Sequence, residues 1–167
     1  MIEQELVKIA LYLDAGPERT MVVDEDSLAA VGAAREEGDL GRLVDSVGNG
    51  DAIRLQEELL HLASEGIEGI TLIRAVLRRL TLLAGLRAEV DSGKRADAVL
   101  GARGKSIFWK EKDAIAAQLS RWPSDMIARG IGRLLDAERE VKATGGIGAL
   151  AVDEELFAIC RQAARLR

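Results

Sequence analysis

The sequence predicts an all-α fold, a bundle of short helices. Apolar residues recur at i, i+3, i+4 and i+7 along most of the chain, which is the spacing of one helix face. Gly, Pro and Asp fall between these stretches, where helices stop and start. No extended segment is longer than the four-residue connector TMVV at 20–23. With 167 residues, of which 48% are hydrophobic, the chain can bury roughly 70% of its unfolded surface without a disulfide or metal staple.

The first helix is expected over 2–13, with Ile2, Leu6, Ile9, Ala10 and Leu13 on one face. Gly16-Pro17 ends it, because proline cannot continue the hydrogen-bond ladder. After the connector, Asp24 or Asp26 caps a helix carrying Leu28, Val31 and Gly32, and acids there suit the positive end of the helix dipole. REEGD at 35–39 reads as a boundary. A short helix from Asp39 to about Val47 turns Leu40, Leu43, Val44 and Val47 inward.

GNGD at 48–51 is a turn with an N-cap at Asp51. The helix over 51–65 is expected to bury Ile53, Leu55, Leu59, Leu60 and Leu62, with Gly66 as its stop. The longest helix spans about 69–91, with an apolar stripe of Ile70, Ile73, Val76, Leu77, Leu80, Leu83, Ala84 and Leu86. Residues 91–106 read as a basic, Gly-containing connector with one helical turn. A helix over 108–121 follows. Pro123 breaks the chain, and Ser124 caps a helix over 124–143 that buries Ile127, Ile131, Leu134, Leu135 and Val141. The expected core also holds Leu77, Leu80 and Trp122. TGGIGAL at 144–150 is a turn, and a last helix runs from about Asp153 to Leu166, with Asp153-Glu154-Glu155 as an acid cluster at its start. No repeat of solenoid period is present.

Catalytic patterns are not found. His61 is the one histidine and Cys160 the one cysteine, too few for a zinc site. There is no G-x-S-x-G elbow. GARGKS at 101–106 ends like a phosphate loop, but Val99 stands where the leading glycine belongs and no strand precedes it. No cofactor is expected. One cysteine fits a reducing cytosol. The start MIEQELVKIALYL is acidic where a secretory leader is basic, and arginines interrupt the longest apolar stretch. A cytoplasmic chain without a membrane segment is therefore expected.

Charge divides the chain. Residues 1–38 carry 3 Lys+Arg against 9 Asp+Glu, a net of −6, and the remaining residues have a net of +1. Residues 94–112 hold Lys94, Arg95, Arg103, Lys105, Lys110 and Lys112 against Asp97 and Glu111. With Phe108 and Trp109 beside it, this segment has the makings of a phosphate contact with a base-stacking surface. The other reading is a solvated linker whose aromatics enter the core. Arg74, Arg78, Arg79 and Arg87, on the polar side of the long helix, are candidates for a subunit interface or a DNA contact.

Three of the five aromatics, Phe108, Trp109 and Trp122, lie in IFWKEKDAIAAQLSRW at 107–122. This stretch and the PSDMIARGIGRLLDAEREVKATGG that follows resemble the C-terminal part of the delta subunit of bacterial DNA polymerase III, a component of the sliding-clamp loader. The resemblance rests on Phe108, Trp109, Lys110, Trp122, Leu134, Leu135, Asp136, Ala137, Glu138 and Lys142. IEQELVKIALYL, DSLAAVGAAREEGDLGRLVDSVGNGD and LLHLASEGIEGITLIRAVLRRLTLLAGL match in order, with Gly69 where the family usually has proline. It implies that residues 1–38 are the C-terminal part of a lid domain and 39–167 a collar domain, with the family's N-terminal AAA+ domain absent. It implies a non-catalytic scaffold in DNA replication. Its partners would be the motor gamma/tau and delta-prime subunits. The sliding clamp would be reached only through the absent domain, and DNA indirectly or weakly.

Overall fold

The computed structural model describes residue 10, residues 40–103, residue 107, residues 111–143 and residues 149–166. The helices expected over 2–13 and from 24 onward, and the connector at 20–23, lie outside them. The chain divides into two units, Met1–Leu40 and Gly41–Arg167, and the architecture below is that of the second.

The described residues form an all-α bundle with no strand. In chain order the helices are α1 (40–49), α2 (Ala52–Ser64), α3 (Ile70–Asp91), α4 (Ala96–Ala102), α5 (Lys112–Arg121), α6 (Ser124–Ala143) and α7 (Ala149–Arg165). None of these helices is long and apolar enough to cross a membrane. Helix α3 is about 33 Å long at 1.5 Å per residue, and α4, α5, α6 and α7 all pack on it. Its buried face is Leu72, Ile73, Val76, Leu80, Leu83 and Leu86.

Helices α3 and α6 run antiparallel. A Cβ on Gly130 would come within 2.9 Å of Leu80 Cδ1, and near the opposite end Arg74 Nε donates to Glu138 Oε1 at 3.1 Å. The small residue at 130 lets the helices approach where the large Leu80 sits. Helix α7 packs on α2, α3 and α6 through Val152, Leu156, Ile159, Cys160 and Ala163, all buried.

The first three helices end in the same way. Gly50, Gly66 and Gly93 have φ of 76°, 76° and 98°. Each lets the next N–H reach back to a carbonyl of the last turn: Asp51 to Ser46 at 3.0 Å, Ile67 to Leu62 at 2.9 Å and Lys94 to Glu89 at 3.2 Å. This is the Schellman closure, which satisfies otherwise orphaned carbonyls. Asp51 opens α2 directly after the first closure, its side chain accepting from Arg54 N–H at 3.0 Å.

Several expectations are corrected. Ile53 and Leu60 are 77% and 68% exposed: the core face of α2 is Leu55, Leu59 and Leu62, and 3.6 residues per turn carries 53 and 60 to the far side. Leu135 is also exposed and Ile131 half-buried, because α6 faces inward through Ile127, Gly130, Leu134, Ala137 and Val141. The segment read as a connector contains α4. Helix α5 spans Lys112–Arg121, after Glu111, and residues 108–110 of the expected helix lie outside the described residues. Pro123, not Ser124, precedes the first turn of α6, its carbonyl accepting from Met126 and Ile127 at 3.1 Å. The Ser124 hydroxyl instead donates to Asp91, tying α6 to the end of α3. Helix α7 begins at Ala149 and has no acid in its first turn, so Asp153 does not sit at the dipole's positive end.

Gly50 and Gly66 share a backbone conformation but not their surroundings. A Cβ at Gly66 meets open space, whereas one at Gly50 runs into the Ala164 backbone. Gly66→Ala is expected to cost about 1 kcal/mol through φ alone. Gly50→Ala should cost about 2–3 kcal/mol because α7 must also shift. Urea unfolding of the two variants measures the difference.

Candidate functional site

Of the four arginines expected on the outside of the long helix, Arg79 is inside. Its side chain is 5% exposed. Helix periodicity places 79 beside Leu72, Val76 and Leu83, in the core stripe. Its guanidinium donates to Asp45 Oδ1 at 2.8 Å, Gln118 Oε1 at 3.0 Å and Glu111 Oε1 at 2.5 Å. One cation thus joins α1, the residue before α5, and α5 itself. Both carboxylates keep partial contact with water, at 36% and 39% exposure, which reduces the desolvation that a fully buried ion pair would suffer.

The node extends toward the end of α1. Gln118, fully buried, donates to Asn49 Oδ1 at 3.4 Å, and Arg121 Nη2 donates to the same oxygen at 2.8 Å. The Trp122 indole N–H donates to the Gly48 carbonyl at 2.9 Å. A Cβ on Gly48 would lie 2.6 Å from Gln118 Nε2, so that glycine admits the amide. Among the described residues no buried side-chain nitrogen or oxygen lacks a hydrogen-bond partner. Trp122 belongs to the core, as expected, along with Leu80 and Leu134. Asp45, Asn49, Glu111 and Gln118 were not singled out by the sequence; the close-set glycines of GNGD were the one signal of tight packing there.

The other arginines lie nearer the surface. Arg74 shares Glu138 with Lys142, at 3.0 and 2.9 Å. Both cations hold the Glu138 carboxyl below its usual range, Lys142 through the larger hydrogen-bond contribution. Arg87 bonds Asp91 at 2.7 Å. Between Arg74 and Arg78 the surface opens into a shallow groove of about 390 Å³ lined by Arg74, Leu77, Arg78 and Thr81. Leu77, expected in the core, is half-buried there.

Among the described residues of the basic segment, three of the four cations are paired within the chain. Lys94 and Arg103 both bond Glu89, at 2.8 and 2.9 Å, and Arg95 bonds Asp97 at 2.8 Å. The Glu89 carboxyl is accordingly lowered, first by its hydrogen bond from Lys94 and then by that from Arg103. Lys112 is exposed at the start of α5. Phe108, Trp109, Lys110 and Lys105 lie outside the described residues. Among the described residues no group of three or more His, Cys, Asp or Glu side chains is placed to hold a metal ion. Cys160 is buried on α7, with Sγ 3.7 Å from the Ser46 carbonyl. Burial, then the nearby Asp51, pushes its thiol up to about 11, far from a reactive thiolate.

Two predictions follow from this electrostatic layout. Arg79→Leu strands two carboxylates and a buried amide, with an expected loss of about 3 kcal/mol, whereas Arg74→Ala should change stability by less than about 1 kcal/mol; chemical denaturation compares them. Asp153 has its pKa raised by burial first and by Glu68 second. A raised carboxyl gives stability that is present below its unfolded pKa and lost as pH rises through the folded one. Asp153→Asn should therefore stabilise the protein at neutral pH, with the gain shrinking in acid, as thermal melts at several pH values will show.

Comparison with family models, curated proteins and solved structures returns no match for this chain.

Proposed function

We propose that this chain is a subunit-packing module, the collar region of a clamp-loader delta subunit that its sequence resembles, with residues 1–38 as the end of the lid domain. In this reading it catalyses nothing itself. It holds neighbouring subunits together while sliding clamps are loaded onto primed DNA.

The observation that supports the reading is the groove on α3. Four helices pack on α3, yet Leu77 is left half-buried on an open surface between Arg74 and Arg78. An apolar floor framed by arginines is the composition that protein interfaces favour at their centres. The alternative, a helical nucleic-acid binder using 94–112, is weakened by the pairing of Lys94 and Arg103 with Glu89. Cations already paired within the chain release fewer counterions from a phosphate backbone.

Native mass spectrometry of the chain with motor gamma/tau and delta-prime subunits tests the proposal. A mixed complex of defined stoichiometry is expected, and Leu77→Lys should weaken it by roughly tenfold or more, the effect of burying one charge in an interface core. Absence of a mixed complex, with salt-sensitive binding of primed DNA in its place, would overturn it.

A further inference from the structure

Asn49 is the one asparagine in the sequence, and Gly50 follows it. An Asn-Gly pair is chemically labile. The glycine's backbone nitrogen can attack Cγ of the asparagine side chain, because no Cβ shields it. The new C–N bond closes a five-membered succinimide. The Nδ2 group leaves as ammonia, taking up the proton that the glycine nitrogen loses. Water then opens the ring at either carbonyl, to aspartate or to isoaspartate. We propose that Asn49–Gly50 is a deamidation site gated by α1. It reacts when the end of that helix leaves the bundle, and the fold takes back the aspartyl product but not the isoaspartyl one.

The docked turn blocks ring closure. Gly50 N–H donates to the Val47 carbonyl at 3.2 Å, so the attacking nitrogen keeps its proton. Gly50 is held at a φ of 76°, and the Ala164 backbone fills the space beside its Cα. Its peptide unit therefore has no room to swing toward Cγ. The asparagine side chain is tied as well. Gln118 gives Oε1 to Arg79 and so turns Nε2 to Asn49, which answers with Oδ1 at 3.4 Å. Arg121 Nη2 donates to the same oxygen at 2.8 Å. The ties to Gln118, Arg121 and Ala164 run to α5 and α7. Detaching the end of α1 from those helices frees the nitrogen and the amide together.

Asn49 is exposed, and among the described residues nothing bonds its Nδ2. The leaving group is thus the half of the amide that the fold does not use. Aspartate retains Oδ1 for both donors and gives Arg121 a charged partner. Isoaspartate instead routes the chain through the side chain and lengthens the backbone by one atom. Gly50 would then press on Ala164, and Asp51 N–H would lose its reach to the Ser46 carbonyl. With that closure of α1 lost, the isoaspartyl chain does not re-dock the helix end. The site is independent of whatever the α3 groove binds.

Ageing of the full chain in mildly alkaline buffer tests the gate, with peptide mapping by mass spectrometry to separate intact, aspartyl and isoaspartyl forms. The folded chain should convert roughly tenfold more slowly, or slower still, than the same chain in urea, since only the open fraction reacts. Trp122→Phe removes the donor to the Gly48 carbonyl, and Arg121→Gln removes the cation on Oδ1. Both should speed conversion several-fold in buffer and leave the rate in urea unchanged. Circular dichroism checks that each variant folds. Asn49→Asp should melt with the unmodified chain, and the isoaspartyl fraction should melt at a lower temperature. The proposal is overturned if folded and unfolded chains convert at one rate, if either variant fails to speed conversion in buffer, or if the isoaspartyl fraction melts with the unmodified chain. A slower Arg121→Gln in particular would mean that the guanidinium activates the carbonyl within the closed turn.

Discussion

The arrangement of this bundle depends on one buried cation. Arg79 sits in the core stripe of α3, where its charge must be matched. The match comes from Asp45 of α1, Glu111 ahead of α5 and Gln118 within α5. Apolar packing alone would let α1 and α5 slide along α3 at modest cost, since hydrophobic contact has little directionality. A guanidinium has fixed donor directions, and three acceptors on separate segments restrict that sliding. The same constraint brings Gln118 against Gly48 and places the end of α1 where Trp122 bonds its carbonyl.

Helix α3 connects this interior node to the surface groove. Arg79 is one residue beyond Arg78 and two beyond Leu77, so a single turn of α3 carries both the buried charge and the open apolar floor. Rigidity at the node therefore holds the groove's lining in place.

Local signals were strong enough to read much of this from sequence. Asp51 as a cap, Gly66 as a stop and the long α3 are set by short-range chemistry, and the structure places them as read. What failed depended on neighbours that a single sequence does not display. Ile53 and Leu60 look like core residues by hydropathy, yet α2 turns Leu55, Leu59 and Leu62 to the core and leaves these two exposed. Arg79 looks like a surface residue by type, and its partners lie 32 to 39 positions away. Helix α7 begins earlier than expected because the acids of 153–155 resemble a first turn, while in the fold Asp153 is half-buried and feels Glu68. The arginines of the candidate site were legible as a group, but their division into one buried node and a surface set was not.

The contacts of α1 are distant in the chain. Trp122 reaches Gly48 across 74 positions, and Cys160 reaches Ser46 across 114. Contacts of such separation require long loops to close and are slow to form compared with the local helix pairs. The Trp122 indole therefore reports on the docking of α1: an opening that detaches the end of that helix removes the acceptor at Gly48 and leaves the indole N–H to water.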